Sequence, residues 1–336
     1  MVEVKVPQNL SLNNSVNFCN SLWKLEDSKE YIFNFINLAD VQPFTMAYVS
    51  NEIKRFRQSK PESRFRAINH EKKTYTAHMG FFSAFGLNFG NKPGEAKGSK
   101  TYLPLTILNV SELEKEAIIS FCHIGDILEE KSKLIARLLT RQDSGDLVDT
   151  LTFSIREIMR NVVEHSNSEI IEYCAQYWPT KNLVEVAILD TGDGIKKGLS
   201  SNPYLNLTSE RDAINCALLP GISGKMYKGI VKRKNDNWQN SGFGLYMTSR
   251  ICRNGGSFFL VSNDKGVFLE DKSKKDFDCN YQGTALRLRI NTKKIDSYSK
   301  MLEKYKNEGY AAAKNFAGDA AIEPSVASTM LSRDFQ

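Results

Sequence analysis

The run Leu183-Val184-Glu185-Val186-Ala187-Ile188-Leu189-Asp190-Thr191-Gly192-Asp193-Gly194-Ile195 decides how the chain is read. Its first seven residues are nearly all apolar, which predicts a strand buried on both faces. A carboxylate at the end of such a strand stands at a pocket rim. Gly192 and Gly194 let the backbone approach a flat ligand closely. An ionised Asp190 can only accept hydrogen bonds, so it favours adenine, whose exocyclic amine donates, over guanine. Taken alone, the same stretch also reads as a turn after a strand.

Two further segments flank it. Upstream lies Arg156-Glu157-Ile158-Met159-Arg160-Asn161-Val162-Val163-Glu164-His165. On a helix predicted from about Leu147 to His165, Glu157, Asn161 and His165 share one stripe at i, i+4 and i+8. Ile155, Ile158 and Val162 form a neighbouring stripe that faces a core. One helix can thus pack on a sheet while offering a carboxylate, an amide and an imidazole to a pocket. The alternative is a solvated polar face. Downstream, Asn240-Ser241-Gly242-Phe243-Gly244-Leu245 opens a helix predicted over Leu245 to Arg253. Glycines before a helix expose backbone N–H groups, and a helix start favours anions, which suits a triphosphate. Gly255-Gly256 stops that helix. Strands are predicted at Glu169–Tyr177, Ser257–Ser262 and Gly283–Ile290, the last alternating Leu286, Leu288, Ile290 against Arg287, Arg289.

The order of these parts resembles the GHKL ATP-binding fold of gyrase, a heat-shock chaperone, histidine kinases and MutL. A polar-striped helix is followed by a strand with D-x-G-x-G, a long glycine-bearing loop, G-x-G-L on a helix, and Gln282-Gly283-Thr284-Ala285-Leu286 entering a strand. The resemblance covers about residues 145–292, and the spacing of Glu157, Asn161 and His165 is most similar to that of anti-sigma-factor serine kinases. It implies ATP and Mg²⁺ as ligands. Asn161 stands where the family coordinates Mg²⁺, an ion that takes few protein oxygens beside phosphates and waters. Glu157 stands at the general-base position. Asp190 reads adenine, Gly192 and Gly194 shape its pocket, and Thr284 supports Asp190. Gly242, Phe243, Gly244 and Leu245 form the phosphate-binding helix start. His165 is either a phosphate contact or a structural support. Pro220-Gly221-Ile222-Ser223-Gly224-Lys225, with Lys228, Lys232, Arg233 and Lys234, resembles the family's ATP lid, in which Lys225 reaches the γ-phosphate on closure. A solvated basic loop is the alternative there.

The fold class expected is α/β (α+β), with a GHKL α/β sandwich in the C-terminal half. Residues 1–110 read as a small mixed domain. The strand Tyr31–Phe35, the stretch Val41-Gln42-Pro43-Phe44-Thr45-Met46 leading into a helix, and Ala77-His78-Met79-Gly80-Phe81-Phe82 resemble a STAS domain. Phe44 falls near the position of that family's phosphorylatable serine, with Thr45 beside it. An unrelated small α/β domain is the alternative. Residues 111–144 read as a connecting helical segment, and 293–336 as a helix and a loose tail. His78 and His123 read as packing or capping residues. His123 also stands before the ATP domain, as a histidine-kinase phosphoacceptor would, but its neighbours do not match that motif.

The 336 residues carry 45 Lys and Arg against 39 Asp and Glu. That scattered excess does not mark a nucleic-acid binder. No apolar run is long enough for a membrane span. The six cysteines form no C-x-x-C pair, which argues against a zinc ribbon and a small disulfide scaffold. Met1–Pro7 lacks the form of a signal peptide, so a cytoplasmic setting is expected. Together these features imply a regulatory ATPase or serine/threonine-kinase-like partner switch in stress or defence signalling, with a protein partner and a homodimer as an option. The second reading is an ATP-hydrolysing effector whose lid closure drives dimerisation or partner release.

Overall fold

A computed structural model describes residues 1–99, 101–230, 238, 241–317 and 321–334. Lys232, Arg233, Lys234 and Asn240, named above, lie outside these described residues. The fold is mixed α/β, with parallel and antiparallel sheets. The N-terminal part comprises β1 (Val2–Lys5), β2 (Asn9–Leu10), α1 (Leu12–Leu22), β3 (Glu30–Asn34), β4 (Asp40–Val41), α2 (Pro43–Gln58), β5 (Arg64–Ile68), α3 (Thr74–His78) and α4 (Phe81–Ala84). There follow β6 (Tyr102–Asn109), α5 (Val110–Ile119), α6 (Ile124–Thr140), α7 (Asp146–His165), β7 (Ile170–Trp178), β8 (Leu183–Asp190), α8 (Ile195–Leu199) and α9 (Glu210–Ala217). The chain continues with α10 (Gly244–Arg253), β9 (Ser257–Ser262), β10 (Lys265–Glu270), β11 (Ser273–Asp278), β12 (Thr284–Asn291) and α11 (Tyr298–Ala317).

A seven-stranded antiparallel sheet in the order β11-β10-β9-β12-β8-β7-β6 organises the molecule. Alternate residues of its central strands serve opposite faces. Val184, Val186 and Ile188 join Leu286, Leu288 and Ile290 in a core with α6, α7, α10 and α11. Ala187, Leu189, Phe259, Val261 and Ala285 point the other way, into a core shared with α1 and α2. Burial on both faces is why β8 reads as continuously apolar.

The parallel sheet β1-β3-β5 lies in the N-terminal part. Helix α2 carries that part onto the large sheet. Its start is held by Glu185, fully buried on β8, whose Oε1 accepts from the Phe44 N–H at 3.0 Å. A carboxylate there complements the helix dipole. Arg289 completes the joint, donating to Glu185 Oε2 at 2.6 Å and to Gln42 Oε1 at 2.6 Å. Phe44 and Thr45 are therefore fully buried. The Thr45 hydroxyl donates to the Gln42 carbonyl at 3.0 Å.

Several expectations need correction. Strand β6 belongs to the large sheet, pairing with β7. The helical run over 111–140 breaks between α5 and α6, where Phe121 has φ 51°. Two expectations hold within this region: His123 caps α6, accepting from the Gly125 N–H at 2.9 Å, and stacks on Trp238, and His78 packs against Tyr102, with Nε2 2.9 Å from the phenol oxygen. The irregular 196–240 region contains α8 and α9. The tail is not loose over 321–334: Ala327, Ser328 and Leu331 are buried against the α6–α7 layer. Charged groups pin it, because α6 and α7 offer partners for its backbone. Among the described residues, no helix is long and apolar enough to cross a membrane.

Candidate functional site

Helix α7 builds the floor of the site. Its apolar stripe (Val148, Leu151, Ile155, Ile158, Val162) enters the core, which turns Glu157, Asn161 and His165 towards a cleft. The cleft measures ≈ 870 Å³, counting its open mouth. Asp190 and Thr284 close one end, and Gly242, Gly244 and Leu245 at the start of α10 line another wall. Ile158, Val162, Leu199, Ile222, Leu260 and Leu286 make it largely apolar.

Asp190 ends β8 opposite Thr284 of β12. Its Oδ1 accepts from the Gly192 N–H at 2.8 Å. Burial pushes its carboxyl up to about 6, against the pull of donors on Gly192 and Thr284. The Asp190–Gly194 turn is tightly enclosed. A Cβ on Gly192 would stand 2.0 Å from the Ser166 carbonyl oxygen, and one on Gly194, at φ +83°, 2.3 Å from Asn263 Nδ2. Gly192 therefore lies behind the cleft, while Gly194 lines it.

Glu157 is 3% exposed. Its Oε1 accepts from Arg156 Nη2 at 3.0 Å and Arg160 Nη1 at 3.2 Å. Its Oε2 faces Gly244, where a Cβ would stand 2.0 Å away. Only glycine lets the start of α10 come this close to the carboxylate. Gly242 adopts φ +73° and backs onto the Ile222 carbonyl. Asn161 is half-buried in the cleft, and its amide has no hydrogen-bond partner among the described residues. Burial pushes the His165 imidazole down to about 4, with Lys225 and Arg160 adding to that direction and Glu164 opposing it. His165 is thus a neutral donor–acceptor at neutral pH.

Besides Gly192, two predicted contacts are not brought to the cleft. The ring of Phe243 is fully buried in the core. Lys225 donates its Nζ to the Glu164 carbonyl at the end of α7, and Gly224 beside it lines the cleft. Other residues escape the sequence reading. Arg160 lines the cleft and also donates to Glu164 at 2.9 Å and to the Trp238 carbonyl at 2.8 Å. Ser328 of the tail lines it too. Glu210 braces the Asp190–Gly194 turn from behind, accepting from Ser262 Oγ at 2.8 Å and Asn263 Nδ2 at 2.9 Å. Ser262 in turn accepts from the Ile195 N–H at 2.8 Å. None of these lies in a glycine motif; only the polar ends of otherwise apolar β9 hinted at them.

Among the described residues, no group of three or more His, Cys, Asp or Glu is placed to hold a metal ion. The arrangement instead offers a recessed carboxylate, a half-buried amide, a second carboxylate held by two guanidinium groups, and a helix start. No protein-family model matches this chain, and no curated protein is significantly similar to it.

Proposed function

We propose that residues 145–292 form an ATP- and Mg²⁺-binding domain of the GHKL class, and that the chain is a regulatory ATPase or serine/threonine-kinase-like switch. One observation carries the reading: motifs far apart in sequence converge on a single cleft. Glu157, Asn161 and His165 of α7 meet Asp190, Gly194, Gly242, Gly244 and Thr284 there. Asp190 accepts from the adenine amine, with Thr284 supporting it. The backbone N–H groups at the start of α10 hold phosphate oxygens. The amide of Asn161, half-buried in the cleft, fits a hard cation that already has phosphate ligands. Bound Mg²⁺ neutralises phosphate charge. Glu157 Oε2, left open beside Gly244, takes a proton from the attacking hydroxyl. For the N-terminal part, the parallel β1-β3-β5 sheet supports a STAS-like reading, while buried Thr45 argues against a phospho-switch at that helix start. The second reading, an effector moved by ATP, gains from the tail docked at the cleft.

Asp190 gives the test of nucleotide binding. Its carboxyl titrates at about 6, so it is ionised at pH 7.5 and takes up a proton as pH falls through 6. A protonated Asp190 loses its acceptor towards adenine. The ATP Kd should therefore rise about tenfold between pH 7.5 and pH 5. His165, at about 4, stays neutral over that window. Asp190→Asn should weaken ATP binding at pH 7.5 by about 10–100-fold, the value of a charged hydrogen bond, and flatten the pH profile. Calorimetric titration at several pH values checks both; full affinity in the Asn variant would remove Asp190 from adenine recognition.

A further inference from the structure

The tail segment 321–334 reaches the cleft through Ser328, beside the start of α10. Ser325 Oγ lies 3.1 Å from Ser241 Oγ, next to Gly242 at the start of α10. It lies 3.0 Å from Ser328 Oγ. Ser328 is buried and lines the cleft. The residues around it are clamped by the guanidinium group that also holds Glu157. Arg156 donates to the carbonyls of Ala327 and Met330, the latter at 3.0 Å, and to Glu157 Oε1 at 3.0 Å. One buried arginine thus holds both Glu157 and the backbone on either side of Ser328, two residues that line the same cleft. Further along, the Ser332 N–H donates to Glu129 at 2.9 Å, and Arg333 forms a fork on Asp149. A loose tail would need none of these.

We propose that Ser328 is a phosphoacceptor, modified within the same chain by the nucleotide bound in this cleft; the inference rests on the ATP reading above. The Ser328 hydroxyl oxygen attacks the γ-phosphorus of ATP. The Oγ–P bond forms as the bond from the γ-phosphorus to the β,γ-bridging oxygen breaks. The hydroxyl proton passes to Glu157 Oε2, and ADP leaves with the electron pair on the former bridging oxygen. Positioning supplies the specificity, since phosphoryl transfer depends chiefly on alignment and charge neutralisation. Thr329 hydrogen-bonds back to the Ser325 carbonyl at 3.1 Å and does not line the cleft, so it is not the acceptor.

The full chain is incubated with radiolabelled ATP and Mg²⁺, with ATP binding measured in parallel by equilibrium dialysis. The tryptic peptide spanning 315–333 is then sequenced by fragmentation. The expected result is label on Ser328, lost in Ser328→Ala and reduced about 10²-fold or more in Glu157→Gln. The rate per chain should not change on dilution of the protein. A separate readout needs no turnover. In Ser328→Cys, a non-hydrolysable ATP analogue should slow alkylation of the introduced thiol about tenfold, by occupying the adjoining space. ATP bound without label on Ser328, a rate that falls with dilution, or an unprotected thiol would each overturn the proposal and leave the ATP site standing. Absence of ATP binding would overturn both.

Discussion

Glu157→Gln is expected to lower ATP turnover by roughly 10²–10⁴-fold, the usual contribution of a general base, in a protein that still folds. Glu157→Ala is expected to cost stability as well. Oε1 is shared by Arg156 and Arg160, both almost fully buried. Removing the carboxylate leaves two guanidinium groups facing an emptied site. Breaking one partner out of a buried pair costs roughly 3–5 kcal/mol. Each arginine retains a second carboxylate, Glu129 for Arg156 and Glu164 for Arg160, which places the loss at the lower end. Glutamine keeps an oxygen towards the arginines and loses only the basic site. Phosphate release and urea midpoints on both variants separate the two effects. Wild-type turnover in the Gln variant would remove Glu157 from the chemistry. A wild-type midpoint in the Ala variant would refute the clamp.

That clamp was not legible in the sequence, whereas the elements around it were. Helix α7, strands β8, β9 and β12, and helix α10 lie within one or two residues of their expected bounds. Each has a strong period or a two-sided apolar run, and α10 stops at Arg253, just before Gly255, which adopts φ +79°. The hairpin β10–β11 was missed for the opposite reason. Its turn has Asp271 at φ 43° where a glycine would signal it, and β11 is a largely exposed edge strand rich in lysine. The tail was missed because small residues carry no period. What holds it is Arg156, more than 170 positions earlier. Lys225 illustrates a further limit. A motif gives the position of a side chain but not its direction, and here the last carbonyls of α7 compete for the amine. The glycines of the site were legible as types. Their reason is contact: Gly244 admits Glu157 Oε2, and Gly192 admits the Ser166 carbonyl.

Arg156→Met should release the tail and cost roughly 3–5 kcal/mol of stability. Arg156 is fully buried and serves two carboxylates, Glu129 and Glu157, and two tail carbonyls. Methionine fills much of the volume but donates nothing, so all four acceptors lose a donor inside the protein. Two consequences can be told apart. Chymotrypsin should cut at half-buried Met330 and buried Leu331 of the docked tail before it cuts the body of the molecule. A variant that is merely less stable would open everywhere together. Glu129 tests the same joint from the other side, because it also accepts from the Ser332 N–H at 2.9 Å. In Arg156→Met/Glu129→Gln the buried charge that methionine strands on Glu129 is gone. The double variant should therefore be more stable than the sum of the single losses predicts, by about 0.5–3 kcal/mol. Additive losses would mean that Arg156 and Glu129 do not act as one unit. The tail would then be held by the Arg333–Asp149 fork, the Ser325–Ser241 contact, the bonds of Arg156 to its carbonyls and the packing of Ala327 and Leu331, each acting independently of Glu129.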